Sequence, residues 1–277
     1  MQLPHYDLHS HTLASDGALA PSVLLQRAKD RGVKVLAITD HDTINGVSSL
    51  LGEDLSDINL IVGTELTCLW NGRVLHVVGL NLDANSSELQ GYLSDLSALR
   101  EKRAIKICEQ LVKMGLPDVY EGAKSLAGTG IIGRPHIAQV LVTVGAVSSV
   151  SQVFKKYLGV GKKGDVKMEW PDLSEAVRVI KCAGGIAVLA HPTKYKMTFT
   201  KIRSAIVDFI DVGGEAIEVS YPGVTPDHHL HLLRIAKNNN LLLSAGSDFH
   251  NPGNSWTDIG KYPPLKSTDN HVLSRIL

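Results

Sequence analysis

The chain has 277 residues, 44% hydrophobic and 20% charged, which suits one large domain, or one carrying an insertion, and excludes a disordered chain. Lys plus Arg and Asp plus Glu number 28 each, so no basic excess coats the molecule, and an anionic ligand must be held by local positive charge or by metal. The three cysteines form no CxxC pair or disulfide framework, the N-terminus has no signal-peptide pattern, and no apolar run reaches the ~18 residues of a membrane span; these features predict a cytoplasmic protein with no membrane association.

The first ninety residues read as alternating strands and helices. Tyr6 to His9 is a short candidate strand. Pro21 to Arg31 has helical spacing, with Gly32 as its stop. Val33 to Thr39 is an apolar strand that ends in Asp40-His41-Asp42. Residues 60–65 repeat that form, with Glu65 expected at the C-terminal end, and residues 74–80 form a further strand with His76 inside it. Ala98 to Gly115 has the period of a long amphipathic helix, and helical patterns continue to about Tyr157. Residues 97–170 are therefore predicted to be a mostly helical insertion over the active site, with the barrel domain formed by 1–96 and 171–277. Beyond it come a helix at 173–182, a strand ending in His191-Pro192, a strand at 216–220, a helix at 228–239, and a last strand ending in Ser247-Asp248-Phe249-His250.

Repeated strand-helix units predict a parallel sheet, and polar groups recurring at strand ends favour a closed β/α barrel, whose C-terminal rim carries catalysis. An open doubly wound sheet usually has a Gly-rich phosphate loop after its first strand, and Leu8-His9-Ser10-His11 is unlike one.

Asp7-x-His9-x-His11 puts two imidazoles on one side of an extended segment, where they can grip one ion. Taken singly, each motif has an ordinary structural alternative: Asp16-Gly17 as a turn, Asp40 or Asp42 as a helix cap, Glu65 in an ion pair, His76 and His191 as hydrogen-bonded core residues. Together, several strands each end in His, Asp or Glu. If these ends share a rim, their convergence is destabilising without a cation. Nine candidate ligands exceed the need of one ion, so two or three ions bridged by a carboxylate are expected. Nitrogen and oxygen donors suit Mn, Fe and Zn.

The ordered motifs Asp7-Leu8-His9-Ser10-His11-Thr12, Ser15-Asp16-Gly17, Ile38 to Asp42, Gly63-Thr64-Glu65, Ala190-His191-Pro192 and Gly246 to His250 resemble those of the PHP (polymerase and histidinol phosphatase) family. Within it, the chain looks most like the branch of bacterial nucleotide-bisphosphate phosphatases that also act as 5′-3′ exoribonucleases of the RNase AM type. The resemblance implies a distorted (β/α)7 TIM-like barrel and a trinuclear metal site, with three divalent ions (Mn2+, with Fe2+ or Zn2+ as alternatives). It implies that His9, His11, Glu65 and Asp248 hold one ion. Asp16, His41 and His250 would hold a second, and Glu65, His76 and His191 a third, with Glu65 bridging. Asp7 and Asp40 would orient nearby histidines, and Asp42 would do the same or cap a helix.

Close cations suit phosphoryl transfer, since they activate water and neutralise phosphate charge. Asp248 is the candidate for orienting the attacking water, and His191 or Asp248 for assisting the leaving group. No GxSxG nucleophile motif is present. Arg134 is the first candidate for gripping phosphate, because a guanidinium clasps two oxygens. Lys162 or Lys163, His136 and Tyr221 are further candidates for binding substrate. The resemblance implies two activities: removal of the 3′-phosphate from nucleoside 3′,5′-bisphosphates, and 5′-3′ degradation of short 5′-monophosphorylated RNA, with a role in rRNA 5′-end maturation. No obligate protein partner is evident. A histidinol phosphate phosphatase, a C–N amidohydrolase and a non-catalytic PHP module are the alternatives. The Arg134 segment argues against the first. Glu65, where amidohydrolases often use a carboxylated lysine, argues against the second, and the complete ligand set against the third.

Overall fold

A computed structural model describes residues 3–53, 55–253, 257–265 and 269–277. Seven strands form one sheet whose spatial order is their chain order: β1 (Tyr6–Asp7), β2 (Val35–Ile38), β3 (Asn59–Trp70), β4 (Arg73–Leu80), β5 (Ile186–Leu189), β6 (Ala216–Ser220) and β7 (Leu242–Ala245). The segments beyond β1 and β7 come together: Leu8 N–H donates to Ala245 O (3.3 Å), Asp248 N–H to His9 O (2.8 Å) and His11 N–H to Phe249 O (2.9 Å). The sheet thus curls into a nearly closed barrel. Gly246 permits this seam, since a Cβ there would lie 2.5 Å from His9 Cβ.

The expectation of an all-parallel sheet is corrected at β4, which runs antiparallel to both β3 and β5. Asn71 and Gly72 have φ of 48° and 71°, the left-handed pair of a two-residue hairpin, which leaves no length for a crossover helix. Glu65 accordingly does not end its strand. It stands in the middle of the twelve-residue β3, opposite Val78, and His76 lies two residues along β4 on the same face.

Strand side chains alternate between two cores. Val35 and Ala37 belong to an inner cluster with Leu8, Ile61, Val78, Val188 and Ala245. Leu36 and Ile38 belong to an outer cluster under the helices. Those helices are α1 (Pro21–Asp30), α2 (Asn45–Ser48), α3 (Ser87–Lys113), α7 (Leu173–Cys182), α8 (Phe199–Asp211) and α9 (Pro226–Asn238). A third cluster joins the second half of α3 to α4 (Tyr120–Ala127), α5 (Arg134–Thr143), α6 (Val150–Val153) and a π-helical turn at Phe154–Leu158. Position 97 therefore falls inside α3. That helix starts earlier than its period suggests, at the Ser86 cap whose hydroxyl accepts from Leu89 N–H, and Leu89, Leu93 and Leu96 pack on the barrel. Among the described residues, no helix is long and apolar enough to cross a membrane.

Val272 and Leu273, in a C-terminal 3-10 turn, pack into the inner cluster. The preceding His271 is fully buried, and its Nδ1 accepts from Leu273 N–H. Burial pushes its imidazole down from 6.5 to about 4. Between those values the unfolded chain takes up a proton that the folded chain refuses. The contribution is therefore complete above pH 6.5 and is lost as pH falls through 4. From pH 7 to 4, wild type should lose about 3 kcal/mol more stability than His271→Asn. Denaturant titrations at both pH values measure this, and parallel losses would contradict it.

Candidate metal centre

Glu65 is the hub. Its carboxylate is fully buried and meets five imidazoles: His9 Nε2 (3.3 Å), His11 Nε2 (3.3 Å) and His41 Nδ1 (3.0 Å) face Oε2, while His76 Nδ1 and His191 Nε2 each lie 2.8 Å from Oε1. Asp248 Oδ1 stands 3.5 Å from His9 Nε2 and 3.3 Å from His11 Nε2. Asp16 Oδ1 faces His250 Nε2 (3.3 Å) and His41 Nε2 (3.9 Å). All nine residues expected as ligands are thus brought to one rim.

Donor atoms lying within 4.8 Å of one another form three groups: His9, His11, Glu65 and Asp248; His11, Asp16, His41 and His250; and His41, Glu65 and His76. The first matches the expected set. The second adds His11. In the third, His41 stands where His191 was expected, although His191 keeps its contact with Glu65 Oε1.

The donor set fits cations. His9 Nε2, both His11 ring nitrogens, Asp16 Oδ1, His41 Nδ1 and Glu65 Oε2 are buried without a hydrogen bond. Such groups are costly unless an ion satisfies them. Burial opposes ionisation of Glu65, Asp16 and Asp248, yet the surrounding imidazoles outweigh it and hold all three well below the carboxylate range. Burial drives His41 well below its ordinary value, against Glu65 and Asp16. At His9 burial acts the same way but is outweighed by Glu218, Glu65 and Asp248, which hold it well above.

Local backbone serves these contacts. Asp42, His191 and Asp248 have φ of 53°, 27° and 47°, a region that costs a non-glycine residue about 1–3 kcal/mol. Each is compensated: Asp42 N–H donates to Glu65 O (3.0 Å), His191 N–H to Glu218 Oε2 (2.7 Å), and Asp248 N–H to His9 O.

Asp7 and Asp40, expected to orient nearby histidines, hydrogen-bond no imidazole among the described residues, and Asp7 holds His9 through its backbone. Asp7 accepts from the backbone N–H groups of His9, Ser247 and Gly260, and Asp40 from Thr12 N–H, Thr12 Oγ1 and Ser15 Oγ. They fix loop backbone, because the imidazole nitrogens are turned towards the carboxylates at the centre. Burial raises Asp7 to about 6, partly offset by its donors. Asp42 ties β3 to α3, accepting from Thr67 N–H (2.6 Å) and Arg100 Nε (2.5 Å).

Tyr221 does not line an open pocket. It is fully buried, and its hydroxyl accepts from Thr193 N–H (3.0 Å), pinning the turn after His191. His136 Nδ1 accepts from Gly133 N–H (3.0 Å) and closes the start of α5. Arg134 donates to Leu158 O (3.1 Å) and lies 3.6 Å from Asp165, while Lys162 and Lys163 are exposed.

Sequence reasoning missed Glu218 and Lys194. Glu218, buried in β6, accepts from His9 Nδ1 (2.7 Å) and from His191 N–H. Its signal was a lone charge inside Ala216-Ile217-Glu218-Val219, the argument already applied to Glu65. Lys194 donates to Asp248 Oδ2, the oxygen turned away from His9 and His11. Nothing marks it in the sequence except its place after His191.

The chain matches the PHP domain family over residues 7–219. It is 46% identical over 258 residues to a 5′-3′ exoribonuclease of Haemophilus influenzae, covering 92% of this chain and 93% of that one. It is 36% identical over 268 residues to a 3′,5′-nucleoside bisphosphate phosphatase of Chromobacterium violaceum, covering 95% and 94%. Among solved structures, an amidohydrolase from Chromobacterium violaceum with bound sulfate and no metal superposes with a TM-score of 0.91 at 35% identity, over 98% of this chain and 95% of that one.

Proposed function

The chain belongs to the PHP domain family, and from that premise we propose that it is a metal-dependent phosphoesterase acting on nucleotides that carry a 5′-phosphate. It hydrolyses the 3′-phosphate of nucleoside 3′,5′-bisphosphates and removes nucleotides from the 5′ end of short 5′-monophosphorylated RNA. The observation that carries this reading is Glu65, one buried carboxylate facing five imidazoles. The names of the Haemophilus and Chromobacterium relatives support the choice of substrates.

Three divalent ions, Mn2+ first among Mn2+, Fe2+ and Zn2+, would be held by His9, His11, Asp16, His41, Glu65, His76, His191, Asp248 and His250. When bound, such ions make water a nucleophile at neutral pH and neutralise phosphate oxygens. Asp248 Oδ1 orients the attacking water by accepting its proton in a hydrogen bond, while Lys194 fixes Oδ2 and so the carboxylate plane. Glu218 keeps the proton of His9 on Nδ1, leaving the Nε2 lone pair towards Glu65 and Asp248. His191 is anchored by Glu218 through its backbone and meets Glu65 through its ring Nε2, and its Nδ1, without a hydrogen-bond partner among the described residues, is the candidate to serve the leaving oxygen. Arg134 and Lys162 bind substrate phosphate, and residues 97–170 act as a lid that favours short or single-stranded substrates.

Short RNA bearing a 5′-phosphate should be degraded at least about tenfold faster than its 5′-hydroxyl form with Mn2+ present, the worth of a charge-assisted phosphate contact. Equal rates would contradict this reading.

A further inference from the structure

Beyond His191 the chain leaves the metal centre through a stretch of unbalanced charge. Residues 193–207 hold Lys194, Lys196, Lys201 and Arg203 and no carboxylate, in a chain whose overall charge is zero. Lys194 donates to Asp248. Lys196, Lys201 and Arg203 are exposed and form no ion pair among the described residues. Asp208, the first acid that follows, accepts from Trp70 Nε1 (2.6 Å) and docks the β3–β4 hairpin on α8.

The same stretch brings three rings together. Phe199 opens α8, with its ring centre 5.0 Å from that of His228 and 4.9 Å from that of His231. The two imidazoles lie three residues apart on one face of α9. Phe199 and His228 are half-buried and His231 is exposed. The hydroxyl of Tyr221, accepting from Thr193 N–H, ties together the turns from which both helices start. Because α8 and α9 follow the C-terminal ends of β5 and β6, the rings stand on the rim that carries the metal ligands. Five residues separate Phe199 from Lys194, at most about 18 Å of chain. Beside the rings, a groove between the hairpin and α8 is lined by Trp70, Asn71, Arg73, Thr200, Lys201 and Ser204. β5 and β6 lie across the nearly closed barrel from β1 and β2, so this surface is opposite the Asp16–His41 edge.

We propose that Phe199, His228 and His231 form a stacking platform for RNA bases beyond the scissile phosphate, with Lys196, Lys201 and Arg73 along the RNA backbone. This rests on the phosphoesterase reading. A single strand is held by rings on which any base can stack and by cations that follow its phosphates, and both lie here side by side. Arg134, assigned above to substrate phosphate, stands on the opposite side, where it acts on Asp16. A strand gripped there and cut at the metal centre continues towards α8. A nucleoside 3′,5′-bisphosphate has no base beyond its 3′-phosphate, so the platform serves RNA alone.

The test compares a 5′-phosphorylated oligoadenylate hexamer with adenosine 3′,5′-bisphosphate. In the full chain, chelated with EDTA, Phe199→Ala and His231→Ala should each weaken hexamer binding at least about fivefold by fluorescence anisotropy, the worth of one lost base stack. Phe199→Trp should retain it. With Mn2+ restored, kcat/KM for the hexamer should fall by the same factor while that for the bisphosphate stays level. Abasic sugars in the 3′ half of the hexamer should cost wild type that factor and cost Phe199→Ala little more. Should Phe199→Ala fail to fold, the exposed His231 decides. Hexamer binding unchanged in His231→Ala, or an equal loss for both substrates in that variant, overturns the platform. Hexamer binding that depends on His231 in a protein that hydrolyses no phosphate ester would instead overturn the phosphoesterase reading and leave the platform standing.

Discussion

Glu65→Gln should lower turnover of a nucleoside 3′,5′-bisphosphate by at least about 1,000-fold, since charge stabilisation by bound cations is worth several kcal/mol and each 1.36 kcal/mol is tenfold. The substitution keeps size and shape. It removes the negative charge at the point where five imidazole nitrogens meet, and it turns one carboxylate oxygen into an NH2 donor. Whichever way the amide points, its NH2 faces either the His9, His11 and His41 nitrogens or those of His76 and His191. Elemental analysis alongside kcat separates the causes: metal content and turnover should fall together. A variant that keeps its metal and works within tenfold of wild type would remove Glu65 from the hub.

Glu218→Gln comes next, with an expected loss of 10–100-fold in metal affinity, the usual effect of a group that orients a ligand without touching the ion. Glu218 accepts from two donors at once, His9 Nδ1–H and His191 N–H. An amide has one acceptor oxygen, so one of those donors must face an NH2. If His9 loses its partner, its proton can move to Nε2, the atom turned towards Glu65 and Asp248. If His191 loses its partner, its backbone at φ 27° loses the bond to its N–H and keeps the one that its carbonyl accepts from Lys194 N–H. Calorimetric titration of Mn2+ into the chelated protein reads the change, and unaltered affinity would show that Glu218 serves only the barrel core.

These two carboxylates also show how far the sequence could be read. Both stand alone in apolar strands, and burial of an unpaired charge is reason enough to look for a partner. Glu65 drew attention because it seemed to end its strand, and Glu218 did not because Val219 and Ser220 follow it. In the structure both are interior strand residues facing the barrel axis, so position at a strand end was an incomplete criterion. The histidines were legible because period-2 spacing and strand-end placement are local. Contacts that depend on distant elements were not: Arg100 reaches Asp42 from α3, Lys194 reaches Asp248 across 54 residues, and Trp170 draws two arginines to one ring. The reversed β4 was legible in principle, since Asn71-Gly72 is a strong hairpin signal, but strand-helix repetition on both sides masked it. Tyr221 misled because a tyrosine after a strand end looks exposed until the turn it pins, at Thr193, is known.

The central claim is that the buried His, Asp and Glu cluster works only when it holds divalent cations. The direct measurement is bisphosphate hydrolysis by chelated protein as Mn2+ is titrated back, with bound metal counted in the same samples. Hydrolysis should be absent from the chelated protein and should return only as more than one ion per chain is bound. Full hydrolysis without metal, or complete recovery at a single ion per chain, would contradict it.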